Sequence, residues 1–156
     1  MNKRIYLLRH LRTINNFEKR ISGQKESALI MDSQTNKTDL TIPYNIDFSK
    51  CSIYCSPAQR CIDTLNFIKM QFGKDMRYKI ENGLQERLMG DLEGEYRIEA
   101  VKKYPELFLD NMSFNFFKTP PGGENFQTFY DRIYDFYYEY IINSSKKIIM
   151  ICSHNQ

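Results

Sequence analysis

RIYLLRH (residues 4–10) is the stretch that decides the fold, because a short apolar run ends there in two polar side chains, Arg9 and His10. The run lacks clean alternation of polar and apolar positions, which is typical of a strand buried on both faces. KKIIMIC (146–152) and SIYC (52–55) have the same character. Strands of this kind belong to parallel sheets that are covered by helices on both faces.

Helical patterns alternate with these strands. The Ser-Pro pair at 56–57 predicts a helix that begins at the proline. The longest periodic segment covers 126–141, and we expect its aromatic stripe to face the core. A strand pattern near 78–81 and a helix pattern near 95–103 complete the alternation. The order predicts an α/β fold, a three-layer sandwich with a mostly parallel sheet.

The composition excludes several classes of protein. A chain of 156 residues is expected to form one domain over 1–156, and its net charge of +3 is too small to indicate a nucleic-acid-binding protein. It has no apolar run long enough to span a bilayer and no secretory signal, so we expect a cytoplasmic protein without membrane contact. The four cysteines lack paired CxxC spacing and are expected to be free thiols, with no metal site.

The only two histidines follow two of the buried strands. His10 comes after 4–8 and His154 after 146–152, and ligands bind beyond the carboxyl ends of the strands in such sheets. Either histidine alone is read more simply as a hydrogen-bonded structural group. Together, and with arginines nearby, they indicate a phosphate site, because a neutral imidazole can attack phosphorus and guanidinium groups bind its oxygens.

A known family matches the sequence in five ordered blocks. RHLRTINN (9–16), continued by RISG, resembles the RHG-x-T-x-x-N signature of the histidine phosphatase superfamily, which includes the cofactor-dependent phosphoglycerate mutases. Four further blocks follow in the family's order: CSPAQRCIDT (55–64), LQERLMGDLEG (84–94), PGGE (121–124) and ICSHN (151–155). The resemblance implies a phosphoglycerate mutase-like fold.

The resemblance also implies how phosphate would be held and attacked. His10 matches the nucleophile that takes the phosphoryl group and forms a phosphohistidine. Arg9 and Arg60 match the phosphate-binding arginines, and Asn16 matches a donor to a phosphate oxygen. The chemistry implied needs no metal and no cofactor.

Glu86 and His154 complete the implied catalytic set. Glu86 matches the acid that protonates the leaving oxygen and then takes a proton from water, and we expect an incoming phosphate to raise its pKa. His154 matches a positively charged donor to the phosphate oxygens.

Six other residues in or near the blocks have simpler readings. Thr13, Thr64 and Gly23 are either turn and cap residues or parts of the site. We expect Arg20 and Glu26 to be solvated charges, and Glu124 to satisfy the first turn of the helix that follows it.

Three residues depart from the family's pattern. Leu11 replaces the glycine after the nucleophile, and we expect it to displace the loop or to narrow the pocket. Arg12 replaces an acidic or amide residue and offers an extra anion contact. Asn155 replaces a second glycine, a milder change because asparagine tolerates left-handed backbone geometry.

The end of the chain is the largest departure. Family members continue after the second histidine with a helix and a strand, whereas this sequence stops at Gln156. If Gln156 is the natural terminus, its carboxylate is expected to weaken phosphate binding by roughly 2–3 kcal/mol. The segment absent from the sequence would leave apolar sheet uncovered. We therefore expect either a homo-oligomer that covers this edge or a shortened member with reduced catalysis.

The leading functional interpretation is a metal-independent phosphomonoester hydrolase that acts through phosphohistidine. Its partner would be a phosphorylated small molecule or a phosphoprotein, chosen by the predicted loops at 24–50 and 108–122. Two alternatives remain open: a catalytically impaired phosphate-binding or regulatory protein, and a phosphoglycerate mutase-type phosphotransferase.

Overall fold

A single parallel sheet organises the part of the chain that the structure, a computed structural model, describes: residues 2–31, 46–73 and 76–155. Its four strands are β1 (Arg4–Arg9), β2 (Cys51–Cys55), β3 (Tyr78–Ile80) and β4 (Ile148–Ser153), in the order β1-β4-β2-β3. All three strand pairs are parallel. The predicted parallel sheet is confirmed, whereas most of the predicted loop at 24–50 and the terminal carboxylate of Gln156 lie outside the described residues.

Helices connect the strands. They are α1 (Ile14–Phe17), α2 (Gln59–Phe72), α3 (Arg97–Lys103) and α4 (Phe126–Phe136), and α4 continues as a π-helical segment over Tyr137–Ile142. Four single 3-10 turns lie at Phe48–Lys50, Asn82–Leu84, Gly90–Leu92 and Pro105–Leu107. The described part of the predicted loop at 108–122 has neither helix nor strand.

The predicted start of α2 at the proline is wrong by two residues. Ala58 is the N-cap, and no side chain there accepts a hydrogen bond from the helix. The hydroxyl of Ser56 lies 2.9 Å from Nε2 of His154 instead. A serine that sequence reasoning assigns to capping therefore contacts the histidine at the end of the neighbouring strand β4.

The core lies on both faces of the sheet, because successive strand residues point to opposite sides. On one face α2 packs against alternate residues of β2 and β4: Ile53, Cys55, Met150 and Cys152 meet Cys61, Leu65 and Ile68. On the other face α4 and its continuation supply Phe136 and Ile141, which meet Tyr54, Ile149 and Ile151. Helices thus cover both faces, as predicted for a three-layer sandwich. All four cysteines are free, as expected.

The aromatic stripe of α4 is only partly buried. Phe129 and Ile141 are buried as expected, but Tyr130 and Tyr137 are 50% and 44% exposed. The stripe spans more than the arc of a helix that can contact a flat sheet, so its flank faces outward. The prediction that the first apolar run is buried on both faces is wrong for β1, because it is an edge strand of the described sheet and its Ile5 and Leu7 are 40% and 80% exposed.

Candidate active site

The carboxyl ends of three strands bring the candidate residues together. Arg9 of β1 lies beside Ser153 of β4 in the sheet register. The next backbone N–H, that of His10, donates to the carbonyl of Ser153 at 3.0 Å. The imidazole rings of His10 and His154 are 5.3 Å apart between centroids, at an interplanar angle of 61°. The prediction that the two histidines meet at one edge of the sheet is confirmed.

His10 is held as a neutral imidazole with one free nitrogen. Its Nδ1 lies 2.7 Å from the carbonyl oxygen of Leu11. Because a carbonyl only accepts, Nδ1 carries the hydrogen and Nε2 keeps its lone pair. Burial lowers the pKa of His10 to about 4, and the positive charges of Arg60 and Arg9 act in the same direction. Nε2 is thus an unprotonated nitrogen at neutral pH.

Thr64 fixes the loop that carries His10. Its hydroxyl accepts from the backbone N–H of Leu11 at 2.9 Å and donates to the carbonyl of Arg60 at 2.7 Å. Thr64 has no exposed surface. Of the two interpretations left open for this residue, the contacts favour a part in the site, because its hydroxyl ties the His10 loop to α2.

The departures at Leu11 and Arg12 lie outside the cavity that His10 shares with Arg60 and Glu86, but both residues line a second cavity of about 510 Å³, to which Arg9, His10 and Asn16 also contribute. The side chain of Leu11 is 2% exposed and does not line the cavity shared with Arg60 and Glu86, so it does not narrow that cavity. Arg12 places its guanidinium 5.4 Å from the ring centroid of Phe17 and adds no anion contact to the cavity shared with Arg60 and Glu86. Asn155 does line it, and with a backbone that is not left-handed.

Arg60, in the first turn of α2, is a buried guanidinium clamped by backbone carbonyls. Nη2 donates to Gly23 O at 2.7 Å and Nη1 to Lys25 O at 3.1 Å. Its side chain is 1% exposed, and its Nε has no hydrogen-bond partner among the described residues. Gly23 is therefore a part of the site through its carbonyl. Glu26 is not simply solvated either, because its carboxylate accepts from the N–H of Gln59 at 3.0 Å.

His154 is neutral, whereas the resemblance implied a positive charge. Nη2 of Arg60 lies 3.2 Å from Nδ1 and can only donate, so Nδ1 accepts and Nε2 donates to the hydroxyl of Ser56. Burial lowers the pKa of His154 to about 2, with Arg60 and His10 adding to the effect. The resemblance implied the positive charge in contact with phosphoryl oxygens, whereas in the protein without a bound anion the imidazole lies among other cations and is neutral.

Glu86 follows the 3-10 turn Asn82–Leu84 and faces the histidines. Its Oε1 accepts from the N–H of Arg87 at 2.9 Å, and its Oε2 lies 3.9 Å from Nδ1 of His154. Burial raises the pKa of Glu86, against the lowering effects of the Arg87 N–H and of Arg60. The direction agrees with the expectation, but the cause here is burial, before any phosphate arrives.

A cavity of about 280 Å³ joins these groups to solvent. Its lining includes all the predicted site residues except His154, which contacts His10 from the side. Asn16 uses its Oδ1 to accept from Thr13 N–H, so its amide hydrogens remain for a ligand. The charged side chains that line the cavity are Arg9, Arg20, Arg60, Arg97 and Glu86. Four guanidinium groups against one carboxyl make this a site for an anion.

Sequence reasoning missed two of the four arginines. Arg20, expected to be solvated, donates to Gly94 O at 2.8 Å and lies over the ring of Tyr96 at 3.7 Å. Arg97 begins α3 and lies over the ring of Phe114. The RISG block contains Arg20 and could have indicated it. For Arg97 the sequence offered only a basic residue at the start of a predicted helix.

No cluster of three or more histidine, cysteine, aspartate or glutamate side chains that could hold a metal ion occurs within 2–31, 46–73 and 76–155. None of the helices described there combines the length and apolar character needed to cross a bilayer.

Comparisons with known proteins agree with this geometry. A 2,3-bisphosphoglycerate-dependent phosphoglycerate mutase from Cytophaga hutchinsonii is 28% identical over 116 residues, which are 72% of this chain and 53% of that protein. The chain thus spans about half the length of this curated relative. A solved Escherichia coli structure, proposed to be an alpha-ribazole-5'-P phosphatase, matches with a TM-score of 0.78 at 22% identity over 99% of this chain and 74% of its own.

A second solved structure gives the same fold. The alpha-ribazole phosphatase of Shigella flexneri matches with a TM-score of 0.68 at 18% identity, over 96% of this chain and 73% of that one. The model of the histidine phosphatase superfamily (branch 1) matches residues 5–156. With the motif residues gathered around one cavity and the family model covering nearly the whole sequence, the chain belongs to the histidine phosphatase superfamily.

Proposed function

We propose that this chain is a phosphomonoester hydrolase that works without a metal and through a phosphohistidine at His10. One observation carries the proposal: Nδ1 of His10 is committed to the Leu11 carbonyl, which leaves an unprotonated Nε2 in a cavity lined by arginines. A neutral imidazole of this tautomer is a nucleophile, and the surrounding cations attract its phosphorylated substrate.

In the first step, Nε2 of His10 attacks the phosphorus of a phosphomonoester. Arg9 and Arg60 hold the phosphoryl oxygens, and the amide of Asn16 donates to one of them. The bond from phosphorus to the ester oxygen breaks, and the leaving oxygen takes the proton of Glu86, whose raised pKa favours the protonated state.

In the second step, water hydrolyses the phosphohistidine. The carboxylate of Glu86 takes a proton from the attacking water, the bond between Nε2 and phosphorus breaks, and orthophosphate leaves. The N–H at Nε2 of His154 is available to a phosphoryl oxygen if it exchanges Ser56 for the substrate. A cavity of about 280 Å³ favours the phosphate end of a small molecule or of a phosphorylated side chain.

A mutase-type phosphotransferase is the second candidate. The similarity to a phosphoglycerate mutase favours it, and so do Arg20 and Arg97, which leave cationic groups beyond those assigned to the reacting phosphoryl group. The two reactions differ in what accepts the phosphoryl group from His10, which is water in a hydrolase and a second hydroxyl in a mutase.

The first test is to capture the phosphoenzyme. Wild type is mixed with a reactive acyl phosphate, quenched in alkali and weighed as intact protein. We expect one acid-labile phosphoryl group, absent from His10→Ala and retained in Thr128→Ala, a control on the exposed side of α4. Loss of the phosphoryl group to water as orthophosphate then indicates hydrolysis, whereas its transfer to an added phosphoglycerate, which becomes a bisphosphoglycerate, indicates a mutase. Orthophosphate binding without any phosphoenzyme would reject both and support a binding protein.

A further inference from the structure

The acid Glu86 is held by an arginine that is not part of the cavity. Arg132 lies on α4, and its side chain is 23% exposed. Its Nη1 donates to the carbonyls of Gly83 at 3.0 Å and Gln85 at 2.6 Å, and its Nη2 donates to the carbonyl of Glu86 at 3.0 Å. Three carbonyls in four consecutive residues, ending at the acid, thus converge on one guanidinium.

The remaining donors of Arg132 are bound to Glu124. Nε donates to Oε1 at 2.8 Å and Nη2 to Oε2 at 2.9 Å, a bidentate pair in which the Glu124 side chain is 11% exposed. With five acceptors for five N–H groups, the guanidinium has no donor left for a substrate. The helix cap expected from Glu124 is supplied by Asn125, whose Oδ1 accepts from the N–H of Thr128.

Glu124 also hydrogen-bonds to the segment that follows Glu86. Its backbone N–H donates to Leu88 O at 2.9 Å, and its Oε2 accepts from Leu88 N–H at 3.4 Å. Gly123 permits this approach, because a Cβ there would lie 2.8 Å from the Leu88 carbonyl. Arg132 and Glu124 therefore hydrogen-bond to the backbone on both sides of Glu86, from Gly83 to Leu88.

We propose that the Arg132–Glu124 pair positions Glu86 for proton transfer to the leaving oxygen. The pair acts through the backbone of Glu86 and touches neither the substrate nor the nucleophile, so Arg132 and Glu124 are positioning residues. The inference rests on the proposed function, in which Glu86 is the general acid. It explains why the PGGE block accompanies the ERL block along the chain: the two are one unit in space.

Arg132 also contributes charge at the acid. Five groups face the Glu86 carboxyl from the elements packed around it: Arg9 from β1, Arg60 from α2, Arg132 from α4, the neutral His154 from β4, and the adjacent Arg87 N–H. Removing the positive charge of Arg132 raises the pKa of Glu86 further. A general acid works only while protonated, so the fall in activity at high pH moves to higher pH.

The experiment compares two leaving groups. 4-Nitrophenolate departs without a proton, whereas the alkoxide of 2-phenylethyl phosphate needs one, so only the second substrate depends strongly on the acid. For Glu86→Gln we expect kcat/KM to fall by about 10²–10⁴-fold on the alkyl substrate and much less on the aryl one. For Arg132→Met we expect the same preference, with a loss about tenfold greater on the alkyl substrate and KM little changed.

Two variants separate positioning from general damage. Arg132→Lys keeps the positive charge but not the five N–H donors of the guanidinium. It should therefore lower kcat/KM on the alkyl substrate without moving the pH at which activity falls. Ile141→Val weakens the core packing of the same helical run but removes no hydrogen-bond donor or acceptor of the Arg132–Glu124 pair, and it should change neither the substrate preference nor the high-pH limb. Melting temperatures of all variants are compared alongside.

Each outcome addresses a different claim. If Arg132→Met lowers kcat/KM equally on both substrates and does not move the fall in activity at high pH, Arg132 is only structural and the inference is wrong. If Glu86→Gln itself shows no preference between the substrates, the acid assignment in the proposed function fails first. The expected preference in both variants, with Ile141→Val unaffected, supports positioning.

Discussion

The neutrality of the two buried histidines predicts an acid-sensitive fold. Burial lowers the pKa of His10 to about 4 and that of His154 to about 2, from the ordinary value of 6.5. In the unfolded chain both imidazoles take up protons as pH falls through about 6.5, and in the native protein they do not until much lower pH. The unfolded state then binds more protons, so stability falls as pH falls from about 6.5 toward about 4.

The size of the effect follows from these values. At pH 5, each histidine lowers the free energy of unfolding by about 2 kcal/mol relative to an imidazole of ordinary pKa. The two together approach about 4 kcal/mol, a large part of the roughly 5–15 kcal/mol that stabilises a typical domain. Glu86 works in the opposite direction, because its raised pKa makes the native state bind a proton before the unfolded state does.

Urea unfolding of wild type, His10→Asn and His154→Asn at pH 7.5, 6 and 5 measures the effect. We expect each variant to lose about 2 kcal/mol less stability than wild type between pH 7.5 and pH 5. Orthophosphate should reduce the pH dependence of wild type, because a bound anion favours protonated imidazoles. Variants with the same pH dependence as wild type would show that the histidines are not held neutral, and so would an NMR titration of His10 with a midpoint near 6.5.

Three further predictions concern the scaffold of the site. Leu11→Ala should lower the free energy of unfolding in urea by about 2–5 kcal/mol without raising turnover, because Leu11 is buried and does not line the cavity shared by His10, Arg60 and Glu86. Thr64→Val leaves the N–H of Leu11 without its acceptor, so it should lower the free energy of unfolding by about 1–3 kcal/mol and slow phosphoenzyme formation. Thr64→Ser keeps the hydroxyl and should retain wild-type stability and rate. Gly123→Ala should lower the melting temperature and the alkyl phosphatase activity together, since its Cβ would collide with the Leu88 carbonyl; unchanged values would contradict the close approach.

The sheet and the meeting of the histidines could be predicted from sequence because both follow from local pattern. Three apolar runs indicate strands of a parallel sheet, whose carboxyl ends meet at one edge, although the first run forms the exposed edge strand β1 and is not buried on both faces. His10 and His154 each follow such a run. Their distance along the chain did not matter, since the register of β1 on β4 is set by the strands themselves.

The roles that sequence reasoning assigned wrongly belong to residues whose hydrogen-bond partners are distant in sequence. Ser56 has the local chemistry of a helix cap, but its hydroxyl is used by His154, 98 residues away. Glu124 has the local chemistry of a residue at a helix start, but Arg132 and the N–H of Leu88 occupy its carboxylate. Propensity describes what a side chain does when its neighbours in sequence are its only partners, and at these positions they are not.

The charge of His154 depends on what the cavity holds. With no anion bound, Arg60 donates to Nδ1 and its charge, together with burial, keeps the imidazole neutral. A phosphoryl dianion beside the same ring opposes both effects and favours the protonated form, in which Nδ1 can no longer accept from Arg60. Protonation of His154 would then release one N–H of Arg60 toward the phosphoryl oxygens as the substrate arrives. The positive charge that the family resemblance implied is consistent with the neutral state described here, because the substrate itself would bring it about.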